Sequence, residues 1–506
     1  MDKNNGVIAA GHHETARAGA EILAAGGNAF DAALGAMLTS FVAEPSLTSL
    51  GGGGFLTAYT ASGQAWLFDF FVQTPLRKQE LKDLDWEESA IRFGNADQLQ
   101  YSGRGAVAVP GCPAGLFEVH EKLGRIPLAE VAAPAIQLAR AGVVYTPYQV
   151  YGMEILEPIL LAHQESREIY GPGDRLWQTG EKGPRPRFTD ALEALVKGGR
   201  EAFYEGELTE AWLRAHREEG GSLSRADLKA YQVHTKQPLR VPYRGYELLT
   251  NTRPSAGGSM ISFGLSWLAQ QDLAKIGHQG PAYVECLAAA MHQMDRFRRD
   301  HLQEATSPPI AELLHQKNLM AYQQPINWLG NTSHISVMDR EGNAASLTST
   351  LGGASGRAIL GTGIPTNNML GEVDLFPGGL HSWRENTRVT SMMSPSILLH
   401  DQHPWLVLGT GGSSRIRSAI LQVILHMVDH GMSLEEAVSH PRLHWEDFVL
   451  NLEPGLGLSD DYVLGKNELV RWPSKNMFFG GVHAVLREAD GMLSGMADAR
   501  RDGAVA

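Results

Sequence analysis

Residues 330–350, GNTSHISVMDREGNAASLTST, constrain this chain more than any other stretch, because they admit one simple backbone arrangement, a β-hairpin. Two strand-like runs, residues 334–339 and 343–350, flank a polar Arg340-Glu341-Gly342 loop. Three-residue hairpin loops commonly place a glycine third, in the left-handed region, where it closes a bulge. Gly342 fits that position. Pairing Asp339 with Asn343 sets the register, and counting outward puts Thr332 opposite Thr350. Strand alternation then gathers Thr332, His334 and Ser336 with Ser346 and Thr348 on one face, and Ile335, Val337, Ala345 and Leu347 on the other. On the residues alone the polar face has two fates: to stand in water or to line a site.

The rest of the chain has the composition of a globular enzyme. Its 506 residues are 43% hydrophobic, enough for several average domains or one large α/β unit. A formal charge of -13 argues against a nucleic-acid partner, since no broad basic surface is available to displace counterions from phosphates. Two cysteines, Cys112 and Cys286, are too few for a disulfide framework and lack the paired spacing of a zinc site, so both are expected to be reduced. No metal or cofactor motif is present. The first residues lack the apolar core of a signal peptide, and no run of about 18 apolar residues follows, so a cytoplasmic protein without membrane contact is expected.

Residues 14–25 read as a helix stopped by Gly26-Gly27, after which Asn28 caps a second helix running to about Ala43. The run Gly51-Gly52-Gly53-Gly54 lacks the lysine and hydroxyl residue of a phosphate loop and reads as a tight chain crossing near a site. Residues 101–115 suggest a short buried strand followed by a helix from about Pro113. Further helices are expected near residues 207–219, 259–268 and 281–302, and residues 317–329 read as an exposed lead-in to the hairpin. After the hairpin, strand-like runs at 396–399 and 405–408 lead into Gly409-Thr410-Gly411-Gly412-Ser413-Ser414-Arg415 and a helix. A strand, a glycine turn and a helix start bring free backbone N–H groups to one point, which suits an anion or a developing oxyanion. A plain helix start explains the same pattern.

Taken in order, the segments GAEILAAGGNAFDAA, EPSLTSLGGGGFL, GAVAVPGCPAGL, PSAGGS, NTSHISVMDREGNAASLTST, SMMSPSI, GTGGSSRI and FFGGVHAVLREADG resemble the γ-glutamyltransferase family of N-terminal nucleophile hydrolases. The resemblance implies an α+β fold, a four-layer αββα sandwich built by both chains of a self-cleaved precursor. The cut would fall between Asn331 and Thr332, leaving a large chain of residues 1–331 and a small chain of 332–506 in one interlocked unit. Once freed, Thr332 would supply both hydroxyl nucleophile and α-amine base, the amine having an ordinary pKa of about 7.7 to 8.0. The resemblance makes Thr350 a support for the nucleophile, which agrees with the register derived above. It places Gly412 and Ser413 at the oxyanion-hole pair, and Ser391 and Glu372 among the substrate-binding residues.

Several positions depart from the family pattern. Met392 replaces a second serine, Glu372 stands for an aspartate that holds the substrate amine, Met369 for a glutamine and Gly352 for an asparagine. Phe71 occupies the place of an arginine for the substrate carboxylate, and Arg77 does not match that position. Three functions follow as expectations. The first is a hydrolase or transferase of γ-glutamyl amides such as glutathione, with water or an amine as acceptor. The second is a related amidohydrolase with a different acyl group. The third is an unprocessed, non-catalytic binding protein on the same scaffold.

Overall fold

The computed structural model describes residues 5–93, 96–302, 331–372, 375–376 and 378–506. The expected lead-in at 317–329 lies outside them. The hairpin forms with strands Thr332–Asp339 and Ala344–Thr350, in the register derived from the loop: Thr332 pairs with Thr350, His334 with Thr348 and Ser336 with Ser346. Gly342 takes a positive φ of 99°. The Asp339 carboxylate accepts hydrogen bonds from the Asn343 backbone (2.9 Å) and side chain (2.8 Å) and from the Ala29 N–H (3.0 Å), which ties the turn to a helix start.

The hairpin sits in the middle of a seven-stranded sheet whose order is Ala504–Val505, Gly6–Ala10, Thr332–Asp339, Ala344–Thr350, Gly53–Tyr59, Ala65–Phe70, His234–Lys236. Every neighbouring pair is antiparallel. A second, six-stranded sheet is ordered Leu493–Ala497, His483–Arg487, His403–Gly409, Ser396–His400, Tyr246–Thr250, Leu239–Tyr243, again antiparallel throughout. The two sheets face each other across the hairpin. Outside the first lie the Ala29–Ala43, His13–Ala24 and Leu128–Ala141 helices, and outside the second the Gly257–Leu268 and Arg415–Val428 helices, with Pro281–His301 packed on them. This is the expected four-layer αββα sandwich.

The hairpin therefore has no wet face. Ile335, Val337, Ala345 and Leu347 join the apolar cluster of the Ala29–Ala43 helix, and the hydroxyl face is buried between the sheets. Its polar groups are paired there: Ser336 Oγ donates to the His483 carbonyl (3.0 Å) and Ser346 Oγ to the Leu408 carbonyl (3.0 Å). The His334 ring lies between Thr348 Oγ1 (2.7 Å) and Ser336 Oγ (2.9 Å). Burial holds its pKa well below the usual imidazole value, so it is neutral.

The Ala29–Ala43 helix is buried at every position. It starts at Asn28 in a capping box, with Asn28 Oδ1 accepting from Phe30 and Asp31 N–H, and Asp31 accepting from Asn28 N–H. The stretch 101–115, expected to be a short buried strand and then a helix, forms its helix at Cys112–Leu123, but its strand portion is only the end of Ala96–Ser102, paired with Glu87–Phe93, followed by a single bridge of Val109 to Gln73. The Ala108 backbone is paired by a side chain instead of a strand: Asn367 accepts from Ala108 N–H (3.0 Å) and donates to the Ala108 carbonyl (2.9 Å). Among the described residues no helix is long and apolar enough to cross a membrane.

Candidate active site

Thr332 opens its strand at the edge of the inter-sheet space, 5% exposed, directly across from Thr350. The Thr350 hydroxyl accepts the Gly352 N–H (3.0 Å) and donates to the carbonyl oxygen of Asn331. Because the Gly352 N–H takes one lone pair, the hydroxyl hydrogen is directed at the carbonyl that precedes Thr332. Gly411 packs on the other side of Thr332, where a Cβ would stand 2.2 Å from the Thr332 carbonyl oxygen. The same oxygen accepts a 3.4 Å hydrogen bond from Arg501 Nη1.

The turn after Gly411 leads into the Arg415–Val428 helix. Gly412 has φ 132° and Ser413 φ 52°. Ser413 thus holds a left-handed conformation that a glycine adopts without strain. Carbonyls of this turn bond into the helix, Gly412 O accepting from Arg415 N–H (3.1 Å) and Ser413 O from Ile416 N–H (3.1 Å). The N–H groups of Gly412 and Ser413 donate no hydrogen bond among the described residues. The Ser414 side chain, which could have capped the helix, donates to Glu446 instead (2.6 Å).

Thr332, Thr350 and Ser413 border a small cavity of about 30 Å³, room for about one water, together with Gly352, Glu372 and Ser391. The sequence-derived residues are brought together here, with Gly412 adjoining through Ser413. The remaining walls are apolar: Phe71, Met369, Leu375, Met392, Met393 and Ile416. Phe71, Met369 and Met392 were legible as departures from the family pattern; Leu375, Met393 and Ile416 were not singled out, since nothing marks an isolated apolar residue as a pocket wall. Phe71 stacks on Phe55 with ring centroids 5.5 Å apart. Arg77 is exposed and does not line the cavity. Arg388 reaches the Phe71 backbone, but it donates to the Phe71 and Gln232 carbonyls and pairs with Asp69 (3.3 Å).

Glu372 accepts the Gly353 N–H on Oε1 (3.1 Å). Ser391 Oγ accepts the Met393 N–H (3.1 Å), and the Ser391 carbonyl is held by Ser255 Oγ (2.8 Å) and Ala256 N–H (2.8 Å). The glycine run 51–54 is the expected chain crossing. A Cβ would lie 2.2 Å from the Pro365 oxygen at Gly51 and 2.2 Å from the Thr350 oxygen at Gly52. These glycines let the neighbouring strand lie directly beside Thr350.

One acidic group near the site was missed in the sequence. Glu44, at the end of the all-buried helix, accepts from Ser333 Oγ (2.8 Å) and Thr15 Oγ1 (2.9 Å). Burial raises its pKa to about 7, against the opposing effect of those two hydroxyls. Its signal is a lone carboxylate in the apolar run FVAEPSL. Among the described residues no group of three or more His, Cys, Asp or Glu side chains could hold a metal ion.

Comparison with known proteins places this geometry. The profile of the Gamma-glutamyltranspeptidase family matches residues 15–506. An acylase, Acylase ACY 1 proenzyme of Pseudomonas sp. (strain SE83), is 31% identical, with 99% of this chain and 93% of that protein covered. The Glutathione hydrolase proenzyme of Escherichia coli (strain K12) is 27% identical over 98% of this chain and 90% of its own length. The fold is that of the cephalosporin acylase from Bacillus halodurans, with a TM-score of 0.87 at 23% identity, covering 99% of this chain and 96% of that one. With a family match across nearly its whole length and relatives of both kinds aligned end to end, this chain belongs to the gamma-glutamyltranspeptidase family of N-terminal nucleophile hydrolases, amide hydrolases and acyltransferases.

Proposed function

We propose that this chain is a self-processing amide hydrolase or acyltransferase that works through an acyl-enzyme on Thr332, and that its acyl group is other than a free γ-glutamyl group. The observation that carries the first part is the Thr350 hydroxyl bonded to the Asn331 carbonyl, in register with Thr332. A donor on that oxygen polarises the one peptide bond that must break. Attack by Thr332 Oγ1 on the Asn331 carbonyl carbon exchanges the amide for an ester; water opens the ester and leaves Thr332 with a free amine. That proenzymes occur among the relatives supports this reading.

In turnover the α-amine of Thr332 takes the proton of its own hydroxyl, and Oγ1 attacks the substrate amide. Charge developing on the carbonyl oxygen is received by the N–H groups of Gly412 and Ser413. The amine leaves with a proton, and water or an acceptor amine resolves the ester. For the acyl group, the support lies in the pocket wall. A γ-glutamyl group carries an α-carboxylate, and Phe71, Met369 and Met392 offer it no charged partner. A missing charge-assisted pair weakens binding by a few kcal/mol.

The test is release of p-nitroaniline from acyl p-nitroanilides, with hydroxylamine present as an alternative acceptor. An acyl-enzyme diverts product from free acid to hydroxamate, and Thr332→Ala releases nothing. Amine release that persists in Thr332→Ala, or a wild-type chain that stays uncut and inert on every amide, overturns the proposal.

A further inference from the structure

We infer that the cleft at the start of the Pro186–Tyr204 helix binds a small organic anion, a carboxylate or a phosphate, away from Thr332. The cleft has a volume of about 760 Å³, within the range of small-molecule sites. Among the described residues it shares no lining residue with the cavity at Thr332. Residues of the 357–363 segment and of the Gln164–Tyr170 helix line it, together with Arg185 to Phe188.

The helix start supplies free donors. Its regular first part runs from Pro186 to the break at Gly199, where φ is 71°. No side chain caps its start, and the Arg187 and Phe188 N–H groups donate no hydrogen bond among the described residues. A Cβ on Gly363 would stand 3.2 Å from the Phe188 nitrogen, and a φ of 65° disfavours one there, so the glycine leaves this end of the helix uncovered. Unpaired N–H groups and the positive end of the helix dipole together attract an anion.

Two buried arginines of the cleft make the same demand independently. Arg185 is 5% exposed and donates to the Phe41 and Gly363 carbonyls, each at 2.7 Å. It has no carboxylate partner among the described residues; burial lowers its pKa, and only the neighbouring Tyr145 and Tyr170 oppose that. A buried charge without a counter-charge is costly. Arg104, 4% exposed, gives Nε and Nη2 to Glu219 (3.0 and 2.8 Å) and Nη2 to Glu165 (2.9 Å), but its buried Nη1 has no acceptor among the described residues. The acids of the cleft are already taken: Glu165 by Arg104 and the Ala358 N–H (3.3 Å), Glu219 by Arg104 and Glu168 by Arg187. The buried groups left over are donors, which an oxyanion satisfies and a cation does not. Ile169 and Leu360 offer apolar surface to the rest of a small ligand.

Isothermal titration calorimetry of the purified wild type, at an ionic strength fixed with chloride, tests this with inorganic phosphate, pentanoate and butylamine. Phosphate or pentanoate should bind saturably at one site, and butylamine should not bind. Tighter phosphate marks the ligand as a phosphate, and tighter pentanoate as a carboxylate with a short tail. Arg185→Gln and Gly363→Ala should each weaken the binding about tenfold or more, while Thr332→Ala should leave it unchanged. Gly363→Ala alters no buried charge and serves where Arg185→Gln fails to fold. The inference is overturned when neither anion saturates, when butylamine binds as tightly, or when a folded Arg185→Gln or Gly363→Ala protein keeps the wild-type affinity. Loss of binding in Thr332→Ala would place the anion at the catalytic cavity and overturns it as well.

Discussion

The Glu372 carboxylate occupies the space that a side chain on residue 352 would need: a Cβ on Gly352 would stand 2.4 Å from Glu372 Oε1 and 2.3 Å from Asn368 Oδ1. Two departures from the family pattern are thereby one. A carboxylate one methylene longer than aspartate reaches the site because the residue beneath it has lost its side chain. Gly352→Ala should lower stability by about 1 to 2 kcal/mol, since its φ of 72° disfavours any Cβ. Gly352→Asn and Glu372→Asp should couple by about 1 to 2 kcal/mol in a double-mutant cycle read by denaturant unfolding. Simple additivity would refute the coupling.

Thr350 should matter to processing before it matters to substrate. Its hydroxyl donates to the Asn331 carbonyl, so Thr350→Val should slow self-cleavage by about 10² to 10³, the usual loss for one donor to a developing oxyanion. Thr350→Ser should restore most of the rate. Time courses on denaturing gels measure both, and cleavage of Thr350→Val at the wild-type rate would remove the residue from the reaction.

Ser413 tests the turn. At φ 52° a glycine is unstrained, so Ser413→Gly should change stability by less than about 1 kcal/mol and keep turnover, because the N–H remains. Replacing residue 413 by the α-hydroxy acid analogue of serine turns that amide into an ester, removing the N–H without fixing φ, and should reduce kcat by about 10² to 10³. Wild-type turnover by the ester variant would exclude this N–H from catalysis.

Glu44 sets a pH dependence of stability with a definite sign. Its carboxyl has a folded pKa of about 7, raised from 4.5. A raised pKa means that its contribution is complete below about pH 4.5 and is lost as pH rises to 7, at about 1.36 kcal/mol per unit, or about 3 kcal/mol in all. Glu44→Gln should remove this decline, so its stability relative to wild type should increase between pH 5 and pH 8. Parallel curves for the two proteins would show that Glu44 is not protonated when buried.

The hairpin register was legible because it depends on local chemistry: a glycine in the third loop position and strict alternation on either side. Which face is wet was not. The hydroxyl face is dry because the His483 and Leu408 carbonyls accept from Ser336 and Ser346, and those partners come from strands far along the chain. The stretch before Pro113 is not a regular strand for a related reason, since the Ala108 backbone is paired by the side chain of the distant Asn367. Within the site, the residues that gather at the cavity were readable as family positions, and the departures Phe71, Met369 and Met392 proved to be its walls. Glu44 escaped because one acid in an apolar run looks like a helix end until Thr15 and Ser333 are seen to meet it.

The central claim is that Thr332 becomes an amino terminus, and intact mass with amino-terminal sequencing of the purified protein tests it directly. The wild type should yield a small chain whose amino terminus reads Thr-Ser-His from Thr332, and Thr332→Ala a single uncut chain. A wild-type chain that stays whole on prolonged incubation, or one cut at another bond, would contradict it.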